Sequence, residues 1–544
     1  MKLNWIFAIK YTLAILLAWY VSSYFGFDKP YWSMMTVAII GYPDPSLSLA
    51  KMAARLAGSF IGVIAVTLIA NVSISDHWLF TALIIIWLSI CLFMTLISRY
   101  MMPYMFSLSG YTSAIIAFGT SVYPLPITIF NLSQERLMEV MIGIIMYTFI
   151  DYILPNQQDK PQTKYIDNNI SLDRKKLLSN LFKGHTEKTL RSLNSIISNS
   201  IAHDEISKYE SHFLSFKEAS SRVLKIPMLI LFSIIGMRNK RFLTYEKYSQ
   251  FLVLKKNNET KSSINFYHFF DWKDAFLNTL RLILSLVISV LFWLNTGWEF
   301  GYILPVLVSI SFTFGITIPN ANKLAIIILF VAFLVIILSY ILKFYFLIQA
   351  TDFMQAALIM GPIFLILGIL KTVGKFAFLI SHVMCISLIF MINFTNPMEF
   401  DFTFFSNTSI ALIFSIIIVI LMLWIIPLSN GKQIENRKVD FILGKLKKSV
   451  LDDEFLFKMK NTLILNINSL SGAKNINRFY VLISLISLYE MAQSDTTKEI
   501  IVNTISSVSK QEDKMITLSL LDKNTMLDTD IIIKYAYEVI RFLL

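Results

Sequence analysis

Charged residues and cysteines are both scarce in this chain of 544 residues. Asp, Glu, Lys and Arg make up 15% of it and hydrophobic residues 56%, whereas soluble domains have about 25% charged residues. This composition excludes intrinsic disorder and a purely soluble protein, and it favours a chain that is largely surrounded by lipid. Cys91 and Cys385 lie in apolar runs, which excludes a disulfide framework and a CxxC-type zinc site.

Sequence motifs of nucleotide-driven and hydrolytic enzymes are also missing. No GxxxxGK[ST], HExxH or GxSxG pattern occurs, and the histidines are scattered. We therefore expect no enzymatic activity, no metal and no cofactor. The formal net charge of +12 is best explained by basic cytoplasmic segments beside an anionic lipid leaflet, so no nucleic acid partner is expected.

Long hydrophobic runs are plentiful, and twelve of them approach the roughly 20 apolar residues that a bilayer-spanning helix needs. Six lie before residue 156 and six after residue 271, and the second run is short and ends at Tyr42-Pro43. We read the first run as a retained span, because no small-residue cleavage site follows it. The runs cover 6–25, 31–42, 53–71, 78–98, 103–122, 136–154, 276–294, 302–318, 324–347, 355–370, 376–394 and 408–426.

The two groups of runs resemble each other. Trp5 and Trp272 precede the first run of each group, and Pro155 and Pro427 follow the last. A repeat on this scale is typical of transporters with two similar bundles. The sequence therefore predicts an all-α membrane protein with two six-helix transmembrane bundles from an internal duplication, each followed by a helical cytosolic domain.

Four segments follow from this reading: 1–155 and 272–428 as the bundles, and 156–271 and 429–544 as the cytosolic domains. With the N-terminus inside, the inner loops hold most of the loop Lys and Arg residues, which predicts that both termini are cytoplasmic. Apolar stripes on the cytosolic helices have to be covered, so we expect a homodimer. The inner loop cations are Lys51, Arg55, Arg99, Lys323, Lys371 and Lys375.

Three cations near the predicted spans are candidate anion ligands, because ionisable groups in a membrane are costly and often functional. Lys10 and Arg281 occupy matching places in the two first spans and would attract an anion from the cytoplasm; alternatively, both extend to the inner headgroups. Arg55 opens the third predicted span, and its guanidinium can bind a carboxylate through two hydrogen bonds. Its alternative role is a positive anchor, and the second half has Ile327 near this place.

Candidate proton carriers lie in the sixth and eleventh spans. Glu139 follows Arg136 by three residues, so the two could form an ion pair, but a carboxyl buried there could instead carry a proton. Asp151 is a possible inner end of a proton path or a solvated helix end. His382 is a possible relay, since imidazole titrates near neutral pH, or a structural hydrogen-bond donor.

Small and aromatic residues complete the candidate set. Gly58 and Gly62 share one helical face where another helix can approach closely, and Gly143 opens a similar gap one turn after Glu139. Trp32 lies near a predicted outer boundary, where aromatic belts are common. An aromatic-lined path for an aromatic substrate is the alternative.

Several short motifs, in this order, resemble the fusaric acid resistance family, which includes bacterial aromatic acid exporters. They are PYWSMMT at 30–36, Tyr42-Pro43, RLAGSFIG at 55–62, RLME at 136–139 with Gly143, and FWLNTGW at 292–298. The resemblance implies a bacterial inner-membrane exporter of aromatic carboxylic acids, driven by the proton gradient, with a periplasmic adaptor in Gram-negative members. The positions that match family motifs are Tyr31, Trp32, Arg55, Gly58, Gly62, Arg136, Glu139 and Gly143.

The leading hypothesis is therefore proton-coupled export of an organic, aromatic anion. Lys10, Arg55 and Arg281 would attract the substrate, Tyr31 and Trp32 would contribute to its site, and Glu139, Asp151 or His382 would exchange the proton. An anion channel would instead pass flux only down the electrochemical gradient. A non-transporting assembly protein would bind a partner through its cytosolic domains and show no flux.

Overall fold

The computed structural model describes eleven ranges of the chain and a few single residues. The ranges are 4–43, 45–73, 75–98, 101–121, 125–154, 267–315, 321–427, 431–448, 452–467, 473–492 and 494–510, with single residues between 173 and 233 and at 429, 470, 539 and 541. Every regular element in these ranges is helical. The predicted segment 156–271 lies mostly outside the described residues.

Six helices occupy each apolar block. The first block contains α1 (Trp5–Tyr24), α2 (Tyr31–Ile40), α3 (Pro45–Ser73), α4 (His77–Ile97), α5 (Met102–Gly119) and α6 (Pro126–Ile153). The second contains α7 (Trp272–Thr296), α8 (Ile303–Gly315), α9 (Ala321–Ile341), α10 (Phe353–Val373), α11 (Lys375–Ile392) and α12 (Phe402–Ile425). A π-helical turn, Leu342–Phe346, continues α9.

Seven described helices are long and apolar enough to cross a membrane: α1, α3, α4, α7, α10, α12 and α9 with its extension. The chain is thus a multi-pass membrane protein. Three further helices, α2, α8 and α11, are apolar but shorter. The full count of twelve spans and the cytoplasmic placement of both termini stay predictions.

The approximate spans predicted from hydropathy begin later than two of the helices that contain them. Helix α3 begins at Pro45, where the span was expected from about residue 53, and α6 begins at Pro126, where the span was expected from about residue 136. Arg55 and Arg136 therefore lie well inside their helices, and their side chains are only 1% and 2% exposed. Polar side chains that face the protein interior lower the local hydropathy without ending the helix, so hydropathy alone placed both starts too late.

The two apolar blocks form one compact unit, Met1–Asp159 with Trp272–Leu428. The first helix of each block packs against the fourth of the other, as α1 with α10 and α7 with α4. The second helix of each block likewise packs against the fifth of the other, as α2 with α11 and α8 with α5. This reciprocal pattern is what two copies of one six-helix unit would produce; the internal duplication itself stays a prediction.

Glycines permit the closest helix contacts inside the first block. A Cβ atom on Gly58 would lie 2.5 Å from the carbonyl oxygen of Met105, and one on Gly62 would lie 2.6 Å from that of Ser109. A Cβ atom on Gly143 would lie 2.6 Å from the carbonyl oxygen of Ser33. Helices α3 and α5, and helices α6 and α2, can therefore approach only because these positions lack a side chain.

The second compact unit is Lys160–Asp271 with Ser429–Leu544. Its described helices are α13 (Gly431–Lys448), α14 (Asp453–Ile467), α15 (Ala473–Met491) and α16 (Asp495–Lys510). Helix α15 packs between α14 and α16, and its buried side is apolar and includes Phe479 and Leu482. The buried Lys460 pairs with Glu490 across α14 and α15.

Candidate functional site

Helix α2 ends inside the membrane unit, and its last carbonyl groups need donors. Lys371 of α10 supplies them: its Nζ donates to the carbonyl oxygens of Ala38 at 2.8 Å and Gly41 at 3.2 Å. The Tyr11 hydroxyl donates to Ala38 as well, at 3.3 Å. A cation at a helix C-terminus is electrostatically favourable. A lysine of the second half thus caps the C-terminus of a helix of the first half.

Lys51, in the second turn of α3, points to two tyrosine rings. Its Nζ donates to the Tyr42 hydroxyl at 2.5 Å and lies 4.2 Å from the centre of that ring and 5.0 Å from the centre of the Tyr104 ring. Such cation–π contacts hold an ammonium group but do not neutralise its charge.

Arg55, one turn further along α3, is fully enclosed. Its Nε donates to the Thr36 hydroxyl at 3.1 Å, and its Nη1 donates to the hydroxyls of Tyr104 at 3.2 Å and Tyr111 at 3.4 Å. All three acceptors are neutral. The guanidinium thus keeps its full charge in a buried position, where an unpaired charge is costly.

His382 of α11 faces the same place from the second half. Its ring stacks on Phe378, with centroids 5.6 Å apart and an interplanar angle of 15°, and lies 6.1 Å from the Tyr42 ring. Its Nδ1 is buried and has no hydrogen-bond partner among the described residues. The three cations Lys51, Arg55 and Lys371 all interact electrostatically with this imidazole.

We call Lys51, Arg55 and Lys371 the cation cluster. Lys51 interacts electrostatically with both other members. Within the described residues, every hydrogen-bond acceptor of the three is a carbonyl, a phenol or a threonine hydroxyl, and none is a carboxylate. Arg55 and Lys371 are buried and Lys51 is half-buried. A set of enclosed cations with neutral partners favours the binding of an anion, because an anion would compensate charge that the protein leaves unpaired.

A second polar group surrounds Arg136 on α6. Its guanidinium lies 3.9 Å from the centre of the Trp32 ring, and its Nε and Nη1 make no hydrogen bond to a described residue. Glu139 is fully buried, and both its carboxyl oxygens lie outside hydrogen-bond geometry to any described donor. The charges nearest to this carboxyl are those of Glu135, Arg136 and Lys29. An acid and a cation therefore lie near each other without a direct bond.

Tyr111 connects the two groups. Its hydroxyl accepts the hydrogen bond from Arg55 and also interacts electrostatically with Arg136. Polar atoms continue on the neighbouring faces of α3, α5 and α6, where buried hydroxyls have no partner among the described residues. These hydroxyls belong to Ser59, Ser109, Thr112 and Ser133.

Other predicted site residues have their own partners. Lys10 forms an ion pair with Asp151 at 2.6 Å, and the Asp151 side chain is 41% exposed. Arg281 donates to the carbonyl oxygens of Ile426 and Pro427, each at 2.7 Å, just beyond the end of α12. The structure does not bring Lys10, Asp151 or Arg281 to the cation cluster.

Tyr31 and Trp32 are buried next to each other at the start of α2, with ring centroids 4.6 Å apart. Trp32 contacts Arg136 through its ring face. Trp32 is therefore not a lipid-facing residue of an aromatic belt, because its side chain is only 5% exposed.

Sequence reasoning missed Lys371 and Lys51, which it counted as loop cations. The signal for Lys51 was its place one turn before Arg55, which puts both on the same side of a helix. The signal for the site as a whole was the Tyr42-Pro43 break inside an apolar run. Nothing in the sequence indicates that Lys371 reaches the end of α2, because that contact joins residues 333 positions apart.

Most of the chain is similar to one family of known proteins. Residues 4–210 and 246–448 match the model of the Fusaric acid resistance protein family. The chain is 33% identical over 156 residues to the uncharacterized transporter YdhK of Escherichia coli (strain K12) and 34% over 157 residues to YdhK of Salmonella typhimurium. These matches cover 29% of this chain and only 23% of the length of either relative.

A longer match involves the p-hydroxybenzoic acid efflux pump subunit AaeB of Yersinia enterocolitica. It is 22% identical over 511 residues, which cover 79% of this chain and 77% of the relative. No solved structure matches the chain. The family model covers most of the sequence and confirms the resemblance seen in the motifs: the chain belongs to the fusaric acid resistance protein family.

Proposed function

We propose that this protein exports organic anions, aromatic carboxylates in particular, across the bacterial inner membrane and uses the proton gradient to do so. Family membership and the names of its relatives, a transporter and an efflux pump subunit for p-hydroxybenzoic acid, support export. The single observation that carries the proposal is the cation cluster, in which the buried Arg55 and Lys371 and the half-buried Lys51 have only neutral hydrogen-bond partners among the described residues.

The substrate carboxylate would bind first at Lys51 and Arg55. It replaces the phenol oxygens of Tyr42 and Tyr104 as acceptors, because a charged acceptor forms a stronger hydrogen bond than a neutral one. The aromatic ring of the substrate would pack against the rings of Tyr42, Phe378 and Tyr104, which already lie around the cations. This pairing of rings with cations suits an aromatic acid better than an aliphatic one.

The route outward would lead from Arg55 past the Tyr111 hydroxyl to Arg136. A guanidinium lies at each end of this route, and the Tyr111 hydroxyl lies between them. The carboxylate therefore always has a hydrogen-bond donor in a region of low dielectric. We assign Lys10, Asp151 and Arg281 to the inner edge of the unit and Tyr31 and Trp32 to the support of Arg136. His382 is a proposed proton relay within the cation cluster.

We assign the coupling proton to Glu139. This carboxyl is buried next to Arg136, so its charge state determines whether the guanidinium has a negative neighbour supplied by the protein. Proton binding and anion binding are thereby coupled at one cation. A glutamine at position 139 has nearly the same shape as glutamate, but its amide does not bind or release a proton at physiological pH.

Glu139→Gln should therefore uncouple transport from the pH difference. In proteoliposomes we expect accumulation driven by an imposed pH difference to fall at least tenfold, while exchange of labelled for unlabelled substrate stays within about threefold of the unmodified protein. Glu299→Gln, which neutralises an exposed acid between α7 and α8, is the matched control and should keep both activities. Undiminished pH-driven accumulation by Glu139→Gln would remove this residue from the coupling mechanism.

Export itself is tested with the purified full chain in proteoliposomes and a panel of aromatic acids that includes p-hydroxybenzoate. We expect uptake at least tenfold above protein-free vesicles, and accumulation against the concentration gradient when a pH difference is imposed. Flux that only follows the electrochemical gradient would identify an anion channel. Absence of flux with every acid would identify a non-transporting protein and reject the proposal.

We also propose the four-part organisation inferred from the sequence, with two membrane bundles, two cytosolic domains and both termini in the cytoplasm. The name of one relative, a pump subunit, supports a partner protein, and we propose a periplasmic adaptor. A homodimer is our proposal for the assembly. Crosslinking in intact membranes tests both, since the adaptor and the second copy give products of different mass.

A further inference from the structure

We propose that the cation cluster selects doubly charged aromatic acids, with one carboxylate held by Lys51 and Arg55 of the first half and the second held by Lys371 of the second half. This inference rests on the proposed function, because it specifies the substrate of the same site. It predicts that an aromatic ring with two carboxylates, such as isophthalate or terephthalate, binds more tightly than a ring with one.

The first support is the charge count. Two buried cations, Arg55 and Lys371, lie within electrostatic reach of the half-buried Lys51, and the described hydrogen-bond partners of all three are neutral. A monocarboxylate would compensate one of these charges and leave the others to repel each other in a medium of low dielectric. A second carboxylate costs further desolvation, but it gains a second cation that is already buried and already desolvated.

The second support is the separation of the cations by aromatic rings. The rings of Tyr42 and Phe378 are in contact, with centroids 4.8 Å apart. Lys51 lies 4.2 Å from the Tyr42 centroid, whereas Lys371 lies 4.1 Å from the Tyr11 centroid and 5.7 Å from the Phe378 centroid. The two ammonium groups thus lie against different aromatic rings. A flat aromatic ligand with a carboxylate at each of two edges would match two cations that are held at separate rings.

The third support is the asymmetry between the halves. The place in the second half that corresponds to Arg55 holds Ile327, which is half-buried against the apolar core. The arginine of the cation cluster therefore has no counterpart in the second half. Among the described residues there is one such set of cations, to which both halves contribute, so both charges of a dianion have to be bound at the same place.

Calorimetric titration of the purified full chain at pH 7.5, where both acids are fully ionised, tests the proposal with benzoate and terephthalate. We expect terephthalate to bind at least tenfold more tightly than benzoate. Lys371→Met should reduce this ratio to about one while the benzoate affinity stays within about threefold. Lys371→Arg keeps the charge and the donors at the end of α2, and should preserve the ratio.

The control is Lys343→Met, which removes another buried lysine of the second half, one whose nearest charges are Asp401 and Glu399. It should leave the ratio unchanged. Lys51→Met keeps the α2 cap intact and removes a ligand of the carboxylate that both acids share, so it should weaken benzoate and terephthalate by a similar factor. If Lys371→Met does not fold, the ratio of the two affinities in the unmodified protein decides the result. Equal binding of both acids by the unmodified protein, or an unchanged ratio in folded Lys371→Met, overturns the dianion proposal alone. Absence of binding by both acids overturns the proposed function with it.

Discussion

Arg55→Met is expected to abolish export of aromatic acids while the protein still accumulates in the membrane. The arginine is 1% exposed, and its three described acceptors are neutral hydroxyls. Loss of a buried charged partner costs about 2–5 kcal/mol in bound states, which corresponds to at least about a thirtyfold loss of substrate affinity. Folding should be much less affected, because the removed charge is repelled by Lys51.

Uptake rates in proteoliposomes and substrate titrations measure this effect, and the melting temperature monitors the fold. Arg55→Lys should recover only part of the affinity, since an ammonium group cannot make the paired hydrogen bonds of a guanidinium. The control is Ile327→Met, at the corresponding place of the second half, which should transport normally. Normal transport by Arg55→Met would exclude Arg55 from the substrate path.

Gly58→Ala is expected to have the largest effect on stability. The new Cβ would lie 2.5 Å from the carbonyl oxygen of Met105 and 3.0 Å from the Cβ atom of Leu108. Neither atom is the end of a flexible side chain, so α3 and α5 have to move apart. Overpacking of this kind costs about 1–3 kcal/mol. We expect a lower melting temperature in detergent and a reduced yield of folded protein.

Gly444→Ala, inside α13, is the control for this substitution. There the new Cβ would meet no atom within 4 Å. Alanine favours a helix by about 1 kcal/mol over glycine, so this variant should be as stable as the unmodified protein or slightly more stable. An unchanged melting temperature for Gly58→Ala would show that α3 and α5 are packed more loosely than the structure indicates.

The helical class of the membrane unit and the approximate place of each helix could be predicted from the sequence. Lipid and the protein core both select apolar side chains over a length that depends on bilayer thickness, and this leaves a strong local signal. The same signal misplaced the starts of α3 and α6, because the polar residues near them, including Arg55 and Arg136, point into the protein. Hydropathy does not distinguish a polar residue that faces the interior from one that ends a helix.

The candidate site could be predicted only in part. Arg55, Glu139 and His382 are conspicuous because a charged or titratable group inside an apolar run is costly. Lys10 and Arg281 share that property, yet the structure pairs the first with Asp151 and the second with the carbonyl groups after α12. Sequence cannot separate these cases, because the difference lies in whether a partner from a distant helix reaches the charge.

The sequence by itself determined that this is a helical membrane protein of the fusaric acid resistance family, since composition, hydrophobic length and motif order are local properties of the chain. Only the tertiary structure decided that Lys371 caps the C-terminus of α2 and lies in one cluster with Lys51 and Arg55. The physical reason is that an electrostatic site depends on distances between charges. Those distances are set by how α3 and α10, from different halves, pack within one unit.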